Sequence, residues 1–171
     1  VKREISGVAK SLRQTYLATE GNEKFVMKGD NLYKGNTMLS GNYKLVDQLK
    51  DEQDVEVSLF FGDVREVTTL KDESGKREIN TKMSSEVYDT LKKGEEYFAT
   101  NVDVLGTDYY GYYVPVYQPG TKEFAGSVFC GRTQNQVTQS LRNTIISMAV
   151  VMLVIFLAAF IIVLFMVKRI V

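Results

Sequence analysis

The chain closes on an unbroken apolar run from Ile145 to Val167, in which Ser147 is the one notably polar residue. As a helix at about 1.5 Å per residue this run is roughly 34 Å long, which matches a bilayer core of about 30 Å with slight tilt. A charge-free run of that length reads as a membrane span, and a helix is the only single-segment way to satisfy its backbone in lipid. It sits at the wrong end for a cleavable signal peptide. The remainder is therefore expected to be a water-soluble domain tethered at its C-terminus. At about 140 residues it is near the commonest single-domain size and can bury one core.

Lys168 and Arg169 follow the span at once, as a cytoplasmic flank should, although Arg132 and Arg142 lie on the other side. The expectation is a span in the cell membrane with the soluble domain outside the cytoplasm. The chain begins at Val1 and stops four residues past the span, so both ends are expected to be cut from something longer.

Composition removes several function classes. Lys plus Arg and Asp plus Glu both number 21, which leaves no basic footprint for nucleic acid. Cys130 is the only cysteine, so no intramolecular disulfide can form. The absence of histidine removes zinc-protease motifs, Ser-His-Asp and Cys-His catalysis and the usual haem ligand together. No G-x-S-x-G and no metal-ligand cluster is present. Glu95 and Glu96 are adjacent and would point to opposite sides of a strand, unlike a glycosidase pair. No catalysis, cofactor or metal is expected.

Val1, Ile5, Val8, Leu12 and Tyr16 recur at spacings of three and four and predict a helix to about Thr19 with one apolar stripe. Gly21, Gly29, Gly35 and Gly41, mixed with Asp30, Asn31, Asn36 and Asn42, mark turns and short extended pieces. Tyr43 to Lys50 reads as a short helix. Val55, Val57, Leu59 and Phe61 have the period of a half-buried strand, Gly62-Asp63 turns, and Arg65 to Leu70 returns as a hairpin. Ser84 or Ser85 caps a helix running to about Lys93. Three strands follow: Tyr97 to Val104, the tyrosine-rich Tyr109 to Tyr117, and Phe124 to Arg132. Thr133 with Gln136 has capping-box spacing, so a helix starting there can run straight into the span. This order predicts an α+β domain with one antiparallel sheet.

The hairpin VEVSLFFGDVREVTTL, the segment GKREINTKMSSEV and the stretch KKGEEYFATNVDVLGTDYYGYYVPVYQPGTKEFAGSVFCGRT together resemble the extracytoplasmic single-Cache domain of bacterial methyl-accepting chemotaxis receptors. The tyrosine strand followed by P-x-Y and the G-x-V-F-x-G strand carry most of that likeness. The resemblance implies a PAS-like fold, in which a long N-terminal helix packs on a five-stranded antiparallel sheet and a small ligand sits on the other face under a loop-helix lid. It divides the chain into a sensor domain over 1–133, a connecting helix over 134–144, the transmembrane helix over 145–167 and the start of a HAMP-like cytoplasmic region over 168–171. It also implies a first span before Val1, a homodimer, and a chemotaxis kinase and coupling protein as cytoplasmic partners. A histidine kinase or diguanylate cyclase output, or a ligand-free adhesive ectodomain, remain alternatives.

A pocket over such a sheet needs apolar walls and a few convergent polar groups. Tyr110 and Tyr112 share one face of their strand and offer flat walls, with Gly111 opening a gap between them. Thr81 and Lys82 lie on the segment that would fold over the pocket. Arg65, Thr68 and Phe60 on the hairpin complete the expected ligand-binding set. Lys82, Arg65 and the helix start after Ser84 favour a small anion such as a carboxylate. Asp103 and Asp108, if they faced the pocket, would reverse that preference toward amines.

Overall fold

A computed structural model describes residues 1–170, apart from the side chains of Lys168 and Ile170. The chain divides into two compact units, Val1–Thr133 and Gln134–Val171. The first opens with α1 (Lys2–Ala18), followed by three short strands, β1 (Phe25–Lys28), β2 (Asn31–Lys34) and β3 (Thr37–Met38). Then come α2 (Lys44–Gln53), the hairpin β4 (Glu56–Phe61) and β5 (Val64–Thr68), and α3 (Ser85–Lys92). The unit ends with β6 (Tyr97–Val104), β7 (Thr107–Tyr117) and β8 (Phe124–Thr133).

The larger sheet is antiparallel with strand order β5-β4-β8-β7-β6. The last strand thus enters between the first hairpin and the meander, hydrogen-bonded to β4 on one side and β7 on the other. That order is PAS-like. The segment from Phe25 to Met38 is more than turns: it forms a second, three-stranded sheet, where one sheet was expected. The β6–β7 turn is also tighter than expected, with Thr107 and Asp108 already in strand.

Both faces of the large sheet are covered. On one lies α1, whose Ile5, Ala9, Leu12 and Tyr16 are buried at alternating spacings of four and three, the period of one helix face. They pack with Val57, Leu59, Tyr112, Val114, Val128 and Cys130. Val1, expected on this stripe, is the exposed helix cap instead. On the other face α3 covers a second cluster, Phe60, Leu70, Met83, Val87, Leu91, Tyr109, Tyr113 and Phe129. Strand β4 is therefore buried on both sides, not half-buried: Val57 and Leu59 face α1 while Phe60 faces α3.

The small sheet ties down the C-terminal end of α1. Lys34 is completely buried, and its ammonium donates to the carbonyls of Leu17 (2.9 Å), Gly21 (2.6 Å) and Thr19. Carbonyls at a helix end lack intrahelical partners, and a lysine supplies three donors at once. Burial pulls the Lys34 pKa down, opposed by Glu20 and Glu23.

The second unit is α4 (Gln134–Ile170), and its Gln134–Val167 portion is long and apolar enough to cross a membrane. Its large apolar side chains between Ile145 and Val167 are exposed rather than packed in a protein core.

Candidate functional site

Between α3 and the sheet lies a cavity of about 320 Å³. Its walls come from the segment 80–83 and from α3 (Lys82, Met83, Glu86, Val87), from β6 (Tyr97, Ala99, Val102, Val104), and from Arg65 and Tyr113. The segment before α3 runs antiparallel to β5 and is joined to it by an isolated bridge between Lys82 and Val64. Arg65 N–H donates to the Thr81 carbonyl, Asn80 N–H to the Arg65 carbonyl, and Met83 N–H to the Asp63 carbonyl. Ser84 then caps α3 by accepting from Val87 N–H, as its position predicts.

Arg65 is the unusual group here. It is 8% exposed, and its guanidinium lies 5.1 Å from the Phe60 ring centroid. Nη1 donates to Thr81 Oγ1 (2.7 Å) and to the Glu78 carbonyl (3.4 Å), while the buried Nε has no partner among the described residues. No carboxylate forms an ion pair with it among the described residues. Burial lowers its pKa, opposed by Tyr113 and by Glu78. A buried charge is costly unless it is paired and hydrogen-bonded, so this site is electrostatically incomplete. Tyr113 lies beside it, and burial raises its phenol pKa to about 12.

Other polar groups share this face. Ser58 and Thr68 bond each other through their hydroxyls at 2.8 Å. Ser127, paired in register with Phe60, is fully buried with no partner for its Oγ among the described residues. Lys82 stands at the cavity mouth with its ammonium 2.9 Å from Asp63 and its side chain 68% exposed.

Of the expected ligand-binding residues, Arg65 and Lys82 line the cavity, whereas Phe60 and Thr81 contact the Arg65 guanidinium from outside it and Thr68 is bonded to Ser58. The structure does not bring Tyr110 and Tyr112 to the α3 side. Strand alternation anchors Tyr109 and Tyr113 in the α3-side cluster, so Tyr110 and Tyr112 turn to α1. Tyr112 donates to Glu96 (2.5 Å), and Glu96 also pairs with Lys10 of α1 at 2.9 Å. Gly111 opens no gap between those two tyrosines. It lies on the α3 face, where an added Cβ would stand 2.8 Å from both the Phe129 ring and Val102. The cavity tyrosines are Tyr97 and Tyr113, which the period of two could have suggested equally well. Asp103 borders the cavity, but Val102 and Val104 pack on the α3 side, so its side chain turns away, where Oδ1 accepts from Gly106 N–H. Asp108, opposite Asp103 in register, shares that outer face.

A larger groove of about 850 Å³ opens at the sheet end near Glu56, Leu70, Asp72 and Leu105. The Glu56 carboxylate there is already bound by Lys50 and Thr69, and Asp72 by the Ser74 hydroxyl and N–H and by Lys76 N–H. Those two carboxylates are thus already bound, whereas Lys71 and Glu73, which also line the groove, are exposed.

A five-stranded antiparallel sheet in this order, with α1 on one face and α3 on the other, is the architecture of a PAS-like sensing module. The family described as single Cache domain 3 matches residues 36–144, and the chain belongs to that family of extracytoplasmic sensing domains. The crystal structure of the E. coli DcuS sensor domain is similar at a TM-score of 0.46 and 20% identity, covering 61% of this chain and 74% of that one. No curated protein sequence matches the chain.

Proposed function

We propose that the chain is the ligand-sensing part of a transmembrane chemoreceptor, binding a small anionic molecule in the cavity beneath α3. The observation that carries this reading is Arg65, a buried guanidinium without a carboxylate partner among the described residues, in the wall of a cavity. A carboxylate supplies the missing charge and accepts from Nε. Tyr113, Tyr97 and the apolar side chains of Met83, Val87 and Val102 then enclose the rest of the ligand, with Thr81 holding Arg65 in place. Lys82 stands at the mouth, its charge paired with Asp63. Phe60 and Thr68 support Arg65 and the neighbouring strand from the sheet side.

In this reading residues 1–133 sense outside the cell, 134–144 connect, 145–167 cross the plasma membrane, and 168–171 begin a cytoplasmic region that reaches a chemotaxis kinase and its coupling protein. A homodimer gives each signalling helix a partner to move against. Binding shifts a two-state equilibrium only through different affinity for the two states. The lid before α3, clipped to β5 by backbone bonds, is the element able to differ. Its strands lead through β7 to β8, which ends one residue before α4 begins.

Thermal-shift screening of the whole chain in nanodiscs against organic acids, amino acids, purines and amines tests this. Acids are expected to raise the unfolding midpoint, and Arg65→Met to remove the effect. Stabilisation by amines alone, untouched by Arg65→Met, would refute it.

A further inference from the structure

The charged groups around the cavity carry more information than the sign of the ligand. Four of them border it: Arg65, Lys82, Glu86 and Asp103. Lys82 is paired with Asp63 at the surface, and Asp103 is turned away and bound to its own turn. That leaves one buried cation, Arg65, and one carboxylate, Glu86. Glu86 lies in the first turn of α3, where the positive helix end favours its charge, and Tyr97 Oη donates to its Oε1 at 2.9 Å. The wall also carries the apolar side chains of Met83, Val87, Ala99, Val102 and Val104, with Ser84, Asn101, Tyr97 and Tyr113 among them.

We infer that Glu86 sets the charge specificity of the cavity: the site takes an acid with one negative group, held at Arg65, and an apolar body, and rejects a second negative charge. This rests on the reading that the cavity is the sensing site. One guanidinium neutralises one carboxylate, and a second has no unpaired cation to meet among the cavity's charged side chains. It would instead lie against the Glu86 carboxylate, and a like-charge contact in a partly desolvated site opposes binding strongly. Glu86 is exposed and its bond to Tyr97 survives as an amide, so Glu86→Gln changes the charge with little change of shape.

The test uses the whole chain in nanodiscs and matched acid pairs of equal length: propanoate with malonate, pentanoate with glutarate, heptanoate with pimelate, and benzoate with phthalate. Thermal shift ranks them and titration calorimetry gives the affinities. At least one monoacid is expected to bind at least about tenfold more tightly than its diacid. Glu86→Gln is expected to bring the diacid to within about threefold of the monoacid, by raising diacid affinity while monoacid affinity holds. Equal binding of mono- and diacids by the wild type, or discrimination unchanged in Glu86→Gln, would overturn the inference while leaving the cavity reading intact, provided Arg65→Met still abolishes binding. If no acid of either charge binds, the cavity reading falls and this inference falls with it.

Discussion

The two faces of the five-stranded sheet are built on different terms. Under α1 the sheet meets a continuous apolar cluster, in which Tyr112 donates to Glu96, which Lys10 pairs in turn, while Tyr16 is buried beside it and Arg13 Nε is buried without a partner among the described residues. Under α3 the sheet carries aromatic rings as well, but also a cavity and, among the described residues, a guanidinium without a carboxylate and a serine hydroxyl without a partner. Close packing and full satisfaction stabilise a fold. Unsatisfied polar groups in a lidded space cost stability and are retained where a ligand completes them. What sets the α3 face apart is the cavity, and the proposed recognition lies there.

The largest effect tests the α1 half of that comparison. A fragment ending at Asn143 contains every residue of both clusters, so it is expected to unfold cooperatively in urea; a non-cooperative transition would remove the proposed domain boundary. Within it, Leu12→Ala should cost about 2–5 kcal/mol, the range for large-to-small changes in a packed core. Lys34→Met comes next. It strips three carbonyls at the end of α1 of a charged donor, and a loss of about 3 kcal/mol is expected from equilibrium denaturation. A cost below about 1 kcal/mol would mean that water replaces the ammonium there.

Arg65→Met should invert the pattern. Replacing a buried charge that lacks a carboxylate by an apolar side chain leaves stability unchanged or raises it by about 1–2 kcal/mol. The same change should weaken acid binding about tenfold to a hundredfold, the worth of one charge-assisted hydrogen bond. A variant that loses stability as Leu12→Ala does would place Arg65 with the structural residues. Calorimetry and denaturation on one preparation separate the two outcomes.

The smallest effect concerns pH. Glu66 is buried and its pKa is raised by that burial, with the Ser40 hydroxyl opposing. A folded-state pKa above the unfolded value means that the folded form binds the extra proton. The stability from this group is therefore complete below the ordinary carboxylate pKa and is lost as pH rises through the folded value. Glu66→Gln should flatten the stability profile from about pH 4 upward and raise stability slightly at neutral pH. An unchanged profile would mean that the carboxylate is solvated.

Much of this architecture is legible in the chain. The α1 stripe, the β4–β5 hairpin, the Ser84 cap and the meander all follow from local periodicity and turn chemistry, and the family resemblance supplied the sheet. The site was legible only in part. Period two separates Tyr110 and Tyr112 from Tyr109 and Tyr113, but both faces of β7 are aromatic, so the pattern cannot say which one meets the ligand. Asp103 raised the same ambiguity, resolved by the packing of Val102 and Val104. Lys34 left no signal at all, because a lysine in a short strand among glycines normally points to water. Its burial depends on where the end of α1 falls in space. The isolation of Arg65 is likewise a property of the folded surroundings, since Asp63, Glu66 and Glu78 are all near in sequence yet none pairs with it.

The central claim is that recognition belongs to the α3 face. Hydrogen exchange on the whole chain in nanodiscs, with and without a saturating acid that raises its unfolding midpoint, tests it most directly. Protection is expected to centre on Arg65, on residues 78–87 and on the β6–β7 pair around Tyr97 and Tyr113. Protection centred instead on Lys71 to Ser74, beside the larger open groove, with residues 78–87 unchanged, would contradict it.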